Sequence, residues 1–315
     1  MKICMVGLGS IGLRHLRNLT GILNARGTSF SVDALRSTQK QLPSDMRALL
    51  RQEYTTERDL PADYDVAFIC NPTALHYETI IEMAKKAKHL FIEKPLFDQL
   101  DYDVSALNAK DGVFYVACPL RYTRVIQYLK TFVQAHRVYA ARAICSTYLP
   151  DWRPGVDYRS TYSADRKLGG GVSIDLIHEW DYLTYLFGTP QSVVNARGTY
   201  SELGLNSDDL SLYVGRYADK LVSLHLDYFG RAERREIELY TRDDTIVGDI
   251  RKQEIRWLKS GERLALLEER DDYQKREIEA FLDMIEGKIE NHNPPALAYK
   301  TLAIALTEEA NRSAK

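Results

Sequence analysis

The sequence predicts an α/β protein in two parts, an N-terminal doubly wound parallel sheet and a C-terminal α+β region with a large, mainly antiparallel open sheet. Strand and helix signals alternate over the first 120 residues, as they do in βαβ units. Beyond residue 121 a two-residue hydrophobic period with hairpin-like spacing takes over. At 315 residues the chain also exceeds what one core comfortably serves. Domains are therefore expected over 1–120 and 121–315, joined by a change of pattern, since no low-complexity linker intervenes.

In order, strands are expected at 2–6, about 30–35, 66–70, 89–92 and 113–118, with helices from Ser10, at 74–86 and at 99–108. Asn71-Pro72 closes the strand at 66–70, and Thr73 is placed to cap the helix that follows. A helix at 124–135 leads into strands at 140–148, 192–197, 210–216, 221–228, 235–240, 245–249 and 254–257. Helices at 175–187, 270–285 and 296–310 are expected to pack on that second sheet, whose other face would stay open and suit a copy of the chain. Of 20 tyrosines, 15 lie beyond residue 120, an excess that strand propensity largely explains.

Composition narrows the function classes. A 45% hydrophobic and 27% charged chain is ordinary for a soluble globular protein. A net charge of -2 gives no electrostatic footprint for nucleic acid or an anionic membrane. No apolar run is long enough to span a bilayer, and the chain enters a strand at its second residue, so a cytoplasmic protein is expected. Cys4, Cys70, Cys118 and Cys145 lie far apart without C-x-x-C spacing and read as reduced core thiols. The histidines lack neighbours at ligand spacing, so no metal site is expected.

Gly7, Gly9 and Gly12 form a G-x-G-x-x-G turn directly after the first strand. The first glycine permits the turn, the second lets backbone approach a pyrophosphate, and the third lets the helix from Ser10 pack on the strand. Phosphates would then face the positive end of that helix. Asp33 lies about where an acid would bind the adenosine ribose and favour NAD, but alternation along the strand puts it inside the sheet. Arg36, Ser37 and Thr38 occupy the carboxyl edge instead, which suits a 2′-phosphate, so NADP is preferred over NAD. A solvated loop charge is the plainer reading of Arg36.

Two clusters bear on chemistry. Glu93-Lys94-Pro95 ends a buried strand at the same sheet edge, where a partly desolvated lysine can donate a proton or polarise a carbonyl, although an ordinary loop lysine fits the spacing equally. Gly169-Gly170-Gly171 precedes Asp175 and His178, which share a face of one expected helix. A histidine beside a carboxylate can remove a hydroxyl proton, though helix histidines are more often structural. Asp181, one turn on, is either a supporting partner or a surface charge. His15 and His76 are read first as helix-packing residues.

The Gly7–Gly12 turn, the Asn71-Pro72-Thr73 to His76 segment, Glu93-Lys94-Pro95 and the Gly169 to Asp181 block resemble, in that order and along essentially the whole chain, the glucose-fructose oxidoreductase, inositol dehydrogenase and MocA family. The resemblance implies a Rossmann domain with nicotinamide cofactor contacts at Gly7, Gly9, Ser10, Ile11, Gly12, Asn71, Pro72, Thr73, His76, Glu93 and Lys94. It implies Lys94, Asp175 and His178 as catalytic, with His178 the acid/base and Lys94 its polarising partner. Many members separate the Asp and His by four positions, and here the spacing is three, which weakens Asp175. Arg121 and Tyr122 resemble the segment that crosses between domains, and Trp152, Tyr158 and Arg159 resemble a loop over the substrate.

The sequence is thus read as an NAD(P)-dependent oxidoreductase of a sugar, sugar derivative or cyclic polyol, acting as a homo-oligomer, dimer or tetramer, through the C-terminal sheet. The stretch around Trp152 and His178 looks like members linked to surface-polysaccharide sugars. Alternatives are an NAD-dependent glycoside hydrolase of the same family and a non-catalytic nucleotide-sensing regulator. A serine hydrolase finds no support, because no G-x-S-x-G elbow occurs.

Overall fold

Ile3, Cys4, Met5 and Val6 are buried along β1 (Lys2–Val6), an apolar strand of the kind that parallel sheets cover on both faces. The computed structural model describes residues 1–37, 41–107 and 111–307. It divides into two units, one of Met1–Cys118 with Arg270–Lys300 and one of Pro119–Glu269 with Thr301 onward.

In the first unit β1 is followed by α1 (Ser10–Ala25), β2 (Ser31–Leu35), α2 (Ser44–Arg47), β3 (Gln52–Tyr54), β4 (Tyr64–Ile69), α3 (His76–Met83), β5 (Ala87–Ile92) and β6 (Phe114–Val116). These six strands pair in parallel in the order β3-β2-β1-β4-β5-β6. The order reverses between β1 and β4, and open α/β sheets bind ligands outside the carboxyl ends of strands at such a switch point. The turn at Gly7, Arg36, Asn71 and Lys94 all follow strand ends at this edge.

The second unit holds α4 (Arg124–Ala135), β7 (Ala140–Tyr148), α5 (Val172–Asp175), α6 (His178–Phe187), β8 (Ser192–Gly198), β9 (Leu210–Arg216), β10 (Leu221–Asp227), β11 (Phe229–Tyr240), β12 (Thr245–Asp249), β13 (Glu254–Trp257) and β14 (Arg263–Ala265). Its eight strands run β14-β13-β12-β11-β7-β10-β9-β8, antiparallel except for the β7/β10 pair. In β9, Ser211, Tyr213 and Gly215 are buried while Leu212, Val214 and Arg216 are exposed, the alternation of a sheet covered on one face. The chain then forms α7 (Arg270–Ile285) and α8 (Pro295–Ala305).

Several expectations are corrected. Helix α7 falls in the first unit, not in that of the antiparallel sheet. It lies against α1, where Arg14 Nε is 3.3 Å from Asp271, and sets Phe281 edge-on to Phe68 and Phe91. Its Glu277 Oε1 accepts the Cys118 N–H at 2.5 Å and the Tyr115 hydroxyl at 3.0 Å. The expected helix at 99–108 is a single turn over Val104–Leu107, because the Asp103 carboxylate takes the Ser105 N–H at 2.9 Å and starts the turn late; Asn108 lies outside the described residues. Thr73 does not cap a helix but heads a 3₁₀ turn (Thr73–Leu75) before α3. The helix expected at 175–187 is broken at Leu176 and Ile177, so Asp175 ends α5 and His178 begins α6. Strands β3 and β14, short and polar, carry too little apolar pattern to be read in advance. The helix expected to reach residue 310 ends at Ala305, and residues 308–310 are outside those described.

Candidate active site

The phosphate-facing turn is built by steric exclusion. Gly7 has φ of 87°, and a Cβ there would sit 2.8 Å from the Cys70 carbonyl oxygen; one at Gly12 would meet the Gly7 oxygen at 2.2 Å. A Cβ at Gly9 would meet nothing within 4 Å, so this stretch of backbone faces open space. Gly9 is the N-cap of the 16-residue α1, with no side-chain cap and no acid in the first turn. The first N–H groups of the helix are thus left to an anion. These features fit a dinucleotide pyrophosphate.

At the adenosine-side edge, Asp33 is the third residue of β2 and nearly fully buried. Its carboxylate accepts Arg51 Nε at 2.9 Å and the Tyr64 hydroxyl at 2.8 Å, in line with the strand-geometry argument. Arg36 pairs with Glu53, whose other oxygen lies 2.5 Å from Arg47 Nε. Ser37 is exposed, and Thr38 lies outside the described residues.

The two following loops are fastened together. His76 stands with Nδ1 3.1 Å from the Leu96 carbonyl and Nε2 3.1 Å from that of Asn71. Burial pushes the imidazole below its usual range, against the opposing pull of the Asn71 and Leu96 carbonyls. Asn71 Nδ2 donates to Thr79 at 2.8 Å, while its buried Oδ1 has no partner within the protein. Glu93 turns inward: Oε1 accepts His15 Nε2–H at 2.5 Å and Oε2 accepts the Lys94 backbone N–H at 3.1 Å. Burial alone would raise its carboxyl, but the His15 hydrogen bond and the charges of His15 and Lys94 hold it below the ordinary value. From His89 to Phe97 the only residue not buried is Lys94.

In the second unit the glycine run serves the backbone. A Cβ at Gly170 would strike the Tyr162 carbonyl oxygen at 2.0 Å, and one at Gly171, where φ is 127°, would strike Asp208 at 2.5 Å. Asp208 in turn accepts the Ser173 N–H at 3.0 Å and its hydroxyl at 2.7 Å, seating the start of α5. Asp175 is buried and accepts the Tyr228 hydroxyl at 2.6 Å. Burial, then the Asp175 charge, push the Tyr228 and Tyr162 phenols upward, so both remain protonated. Trp152 meets the Tyr228 ring edge-on at 5.3 Å, and Trp152, Arg153, Tyr158 and Ser163 line a small cavity beside it. Arg159 lies over the Tyr158 ring at 4.6 Å.

His178 is the only residue between Gly169 and Thr184 that is not buried. Its neighbours tether α6. Glu179 is fully buried with Arg235 Nε 2.9 Å away, an ion pair off the hydrogen-bond axis, and burial raises its carboxyl against the opposing pull of Arg235. Asp181 takes a bidentate bond from Arg121, at 2.9 and 2.7 Å. Arg121 is thus turned onto α6 and nearly fully buried, and Tyr122 is half-buried beside it. Sequence reasoning missed Tyr228 and Arg235, which lie far from Asp175 and Glu179 along the chain and carry no local motif. Among the described residues no group of His, Cys, Asp and Glu is disposed to hold a metal ion, and no helix is long and apolar enough to cross a membrane.

The strand order and glycine turn define a dinucleotide-binding protein of the doubly wound type. Residues 1–116 match the family model described as an oxidoreductase family with an NAD-binding Rossmann fold, and residues 151–314 match its C-terminal alpha/beta domain. The chain belongs to this GFO_IDH_MocA oxidoreductase family, and its first unit is an NAD(P)-binding Rossmann domain. It is 30% identical over 214 residues to the Bacillus subtilis oxidoreductase YrbE, covering 64% of this chain and 59% of that protein. It is 27% identical over 230 residues to the myo-inositol 2-dehydrogenase of Thermotoga maritima, covering 69% of this chain and 65% of the relative. The chain therefore spans about three fifths of the length of the curated relatives it matches. The fold is also that of the UDP-N-acetylglucosamine 3-dehydrogenase GnnA from Acidithiobacillus ferrooxidans, with a TM-score of 0.76 at 19% identity, covering 97% of this chain and 95% of that one.

Removing one partner of the Arg121–Asp181 pair strands a buried charge, so Arg121→Met is expected to cost about 3–5 kcal/mol in urea unfolding. Adding Asp181→Leu is expected to recover most of that loss. Equal stability of the two variants would contradict the assignment.

Proposed function

We propose that this chain is an NAD(P)-dependent oxidoreductase acting on a hydroxyl-bearing carbon of a sugar, sugar derivative or cyclic polyol. The observation that carries the reading is the isolation of two titratable side chains, Lys94 and His178, each the one open position in a long buried run. The nicotinamide, when bound, supplies the hydride acceptor or donor. Gly7, Gly9, Ser10, Ile11 and Gly12 hold its pyrophosphate, and Asn71, Pro72, Thr73 and His76 shape the neighbouring loop. The His178 imidazole takes the hydroxyl proton as the carbon is oxidised and returns it in the reverse direction. The Lys94 ammonium stabilises negative charge that develops on oxygen during the transfer. Asp175, fixed by Tyr228, is a further polar wall, and Trp152, Tyr158 and Arg159 contact the sugar or polyol ring. Arg121 and Tyr122 serve the same reaction, Arg121 by anchoring α6.

NADP is our preferred cofactor. Asp33 is occupied by Arg51 and Tyr64, and Arg36, which follows the end of β2, pairs with Glu53 at the edge that a 2′-phosphate would meet. A sugar of surface polysaccharides is the narrower substrate, which rests on the stretch around Trp152 and His178. We place a homo-oligomer contact on the open face of the second sheet, where Val194, Leu212, Val214 and Leu221 are exposed on adjoining strands. Light scattering on the purified chain is expected to give a dimer or tetramer; a monomer would remove this contact. The four cysteines, all buried thiols, suit the cytoplasm.

Screening NAD and NADP reduction against myo-inositol, scyllo-inositol, free hexoses and UDP-N-acetylglucosamine tests the activity. Lys94→Ala is expected to lower turnover about 100-fold or more while cofactor affinity holds, the scale of removing one oxyanion donor. Unchanged turnover would take Lys94 out of the mechanism, and release of free sugar from a glycoside without net cofactor reduction would favour the hydrolase alternative. Arg36→Ala is expected to weaken NADP binding by about 10–100-fold and NAD binding far less, as for a lost charged hydrogen bond. Equal losses would overturn the NADP preference.

A further inference from the structure

We propose that His15 and Glu93 form a positioning pair for Lys94, a role that rests on the reading of Lys94 above. His15 stands on α1 just beyond the glycine turn, 1% exposed, and its Nε2–H donates to Glu93 Oε1 at 2.5 Å. The other carboxylate oxygen accepts the backbone N–H of Lys94 at 3.1 Å. One buried carboxylate therefore joins the helix that follows the phosphate-binding turn to the turn that presents the ammonium.

The surroundings give this bridge a fixed direction. The His15 ring meets Phe91 edge-on at 5.0 Å and lies 5.9 Å from Phe68, and those two phenyl rings stack at 4.6 Å. Close-packed aromatic walls prevent the imidazole from swinging away. Two residues past Lys94, the Leu96 carbonyl stands 3.1 Å from His76 Nδ1. The turn is thus gripped on both sides of Lys94, by His15 through Glu93 and by His76 through Leu96.

Stability alone does not account for the pair. A buried ionic contact gains little over apolar side chains of the same volume, and the phenyl cluster around His15 could accommodate such side chains. What the carboxylate adds is a bond to the backbone of Lys94 itself, which lowers the freedom the lysine must lose when it orients its ammonium.

The test uses three variants of the whole chain. His15→Phe keeps an aromatic ring against Phe68 and Phe91 but has no donor, His15→Gln retains an N–H, and Glu93→Gln keeps the shape without the charge. Each is acylated with N-hydroxysuccinimidyl acetate, and the rate at every lysine is read by peptide mass alongside thermal unfolding and NADPH binding by fluorescence. Labelling at Lys94 is expected to rise about fivefold or more in His15→Phe and Glu93→Gln, the size of one hydrogen bond's effect, and to stay within about twofold of wild type in His15→Gln. The other lysines are expected to hold, as is the NADPH affinity of His15→Phe. An unchanged Lys94 rate in Glu93→Gln, or a rise shared by all lysines, would overturn the proposal. In turnover of whichever polyol or sugar the screen identifies, His15→Phe should cost nothing further once Lys94 is alanine; an added loss there would also overturn it. If Lys94→Ala leaves turnover intact while the labelling result stands, the catalytic reading of Lys94 fails and its positioning by His15 survives.

Discussion

Covering a parallel sheet on both faces confines polar chemistry to the ends of its strands. Along β1, β4 and β5 the residues toward the carboxyl end are apolar and buried, so no charged group stands there without a partner. The glycine turn, Arg36, Asn71 and Lys94 all appear where those strands stop. The glycines are forced by neighbouring backbone, Glu93 is held by His15, and His76 ties one loop to the next. The first unit therefore gathers the groups of its candidate site at one rim.

The second unit solves a different problem, holding a short helix still inside an antiparallel frame. Gly170 and Gly171 let the chain pass against Tyr162 and Asp208, Arg121 grips Asp181, and Arg235 lies beside Glu179. Between these fastenings His178 alone reaches solvent. Buried ion pairs of this kind are poor sources of net stability, and their service here is to fix orientation.

Much of this was legible in the residues, and the failures have physical causes. Long apolar strands with turn signals, such as β1 and β4, announced the parallel sheet, and the alternation of β9 announced a half-covered one. The placement of α7 was not legible, because an amphipathic stripe records that a helix packs but not on which sheet. The break at Leu176 and Ile177 was hidden by a helical-looking sequence whose start is dictated by the distant Asp208. Lys94 and His178 were named through motif and resemblance, while Tyr228, whose hydroxyl Asp175 accepts, came only with the tertiary structure. His15 was read as packing; its ring does pack, and it also carries a hydrogen bond that periodicity cannot reveal.

We propose that Lys94 and His178 both serve one hydride transfer, and groups that act as a unit are not additive when removed. Single-turnover hydride transfer, followed by nicotinamide absorbance in the Lys94→Ala, His178→Ala and doubly substituted proteins, measures this directly. The account predicts that the double variant is about as slow as the slower single one. Losses that multiply, or a wild-type rate in either single variant, would contradict it.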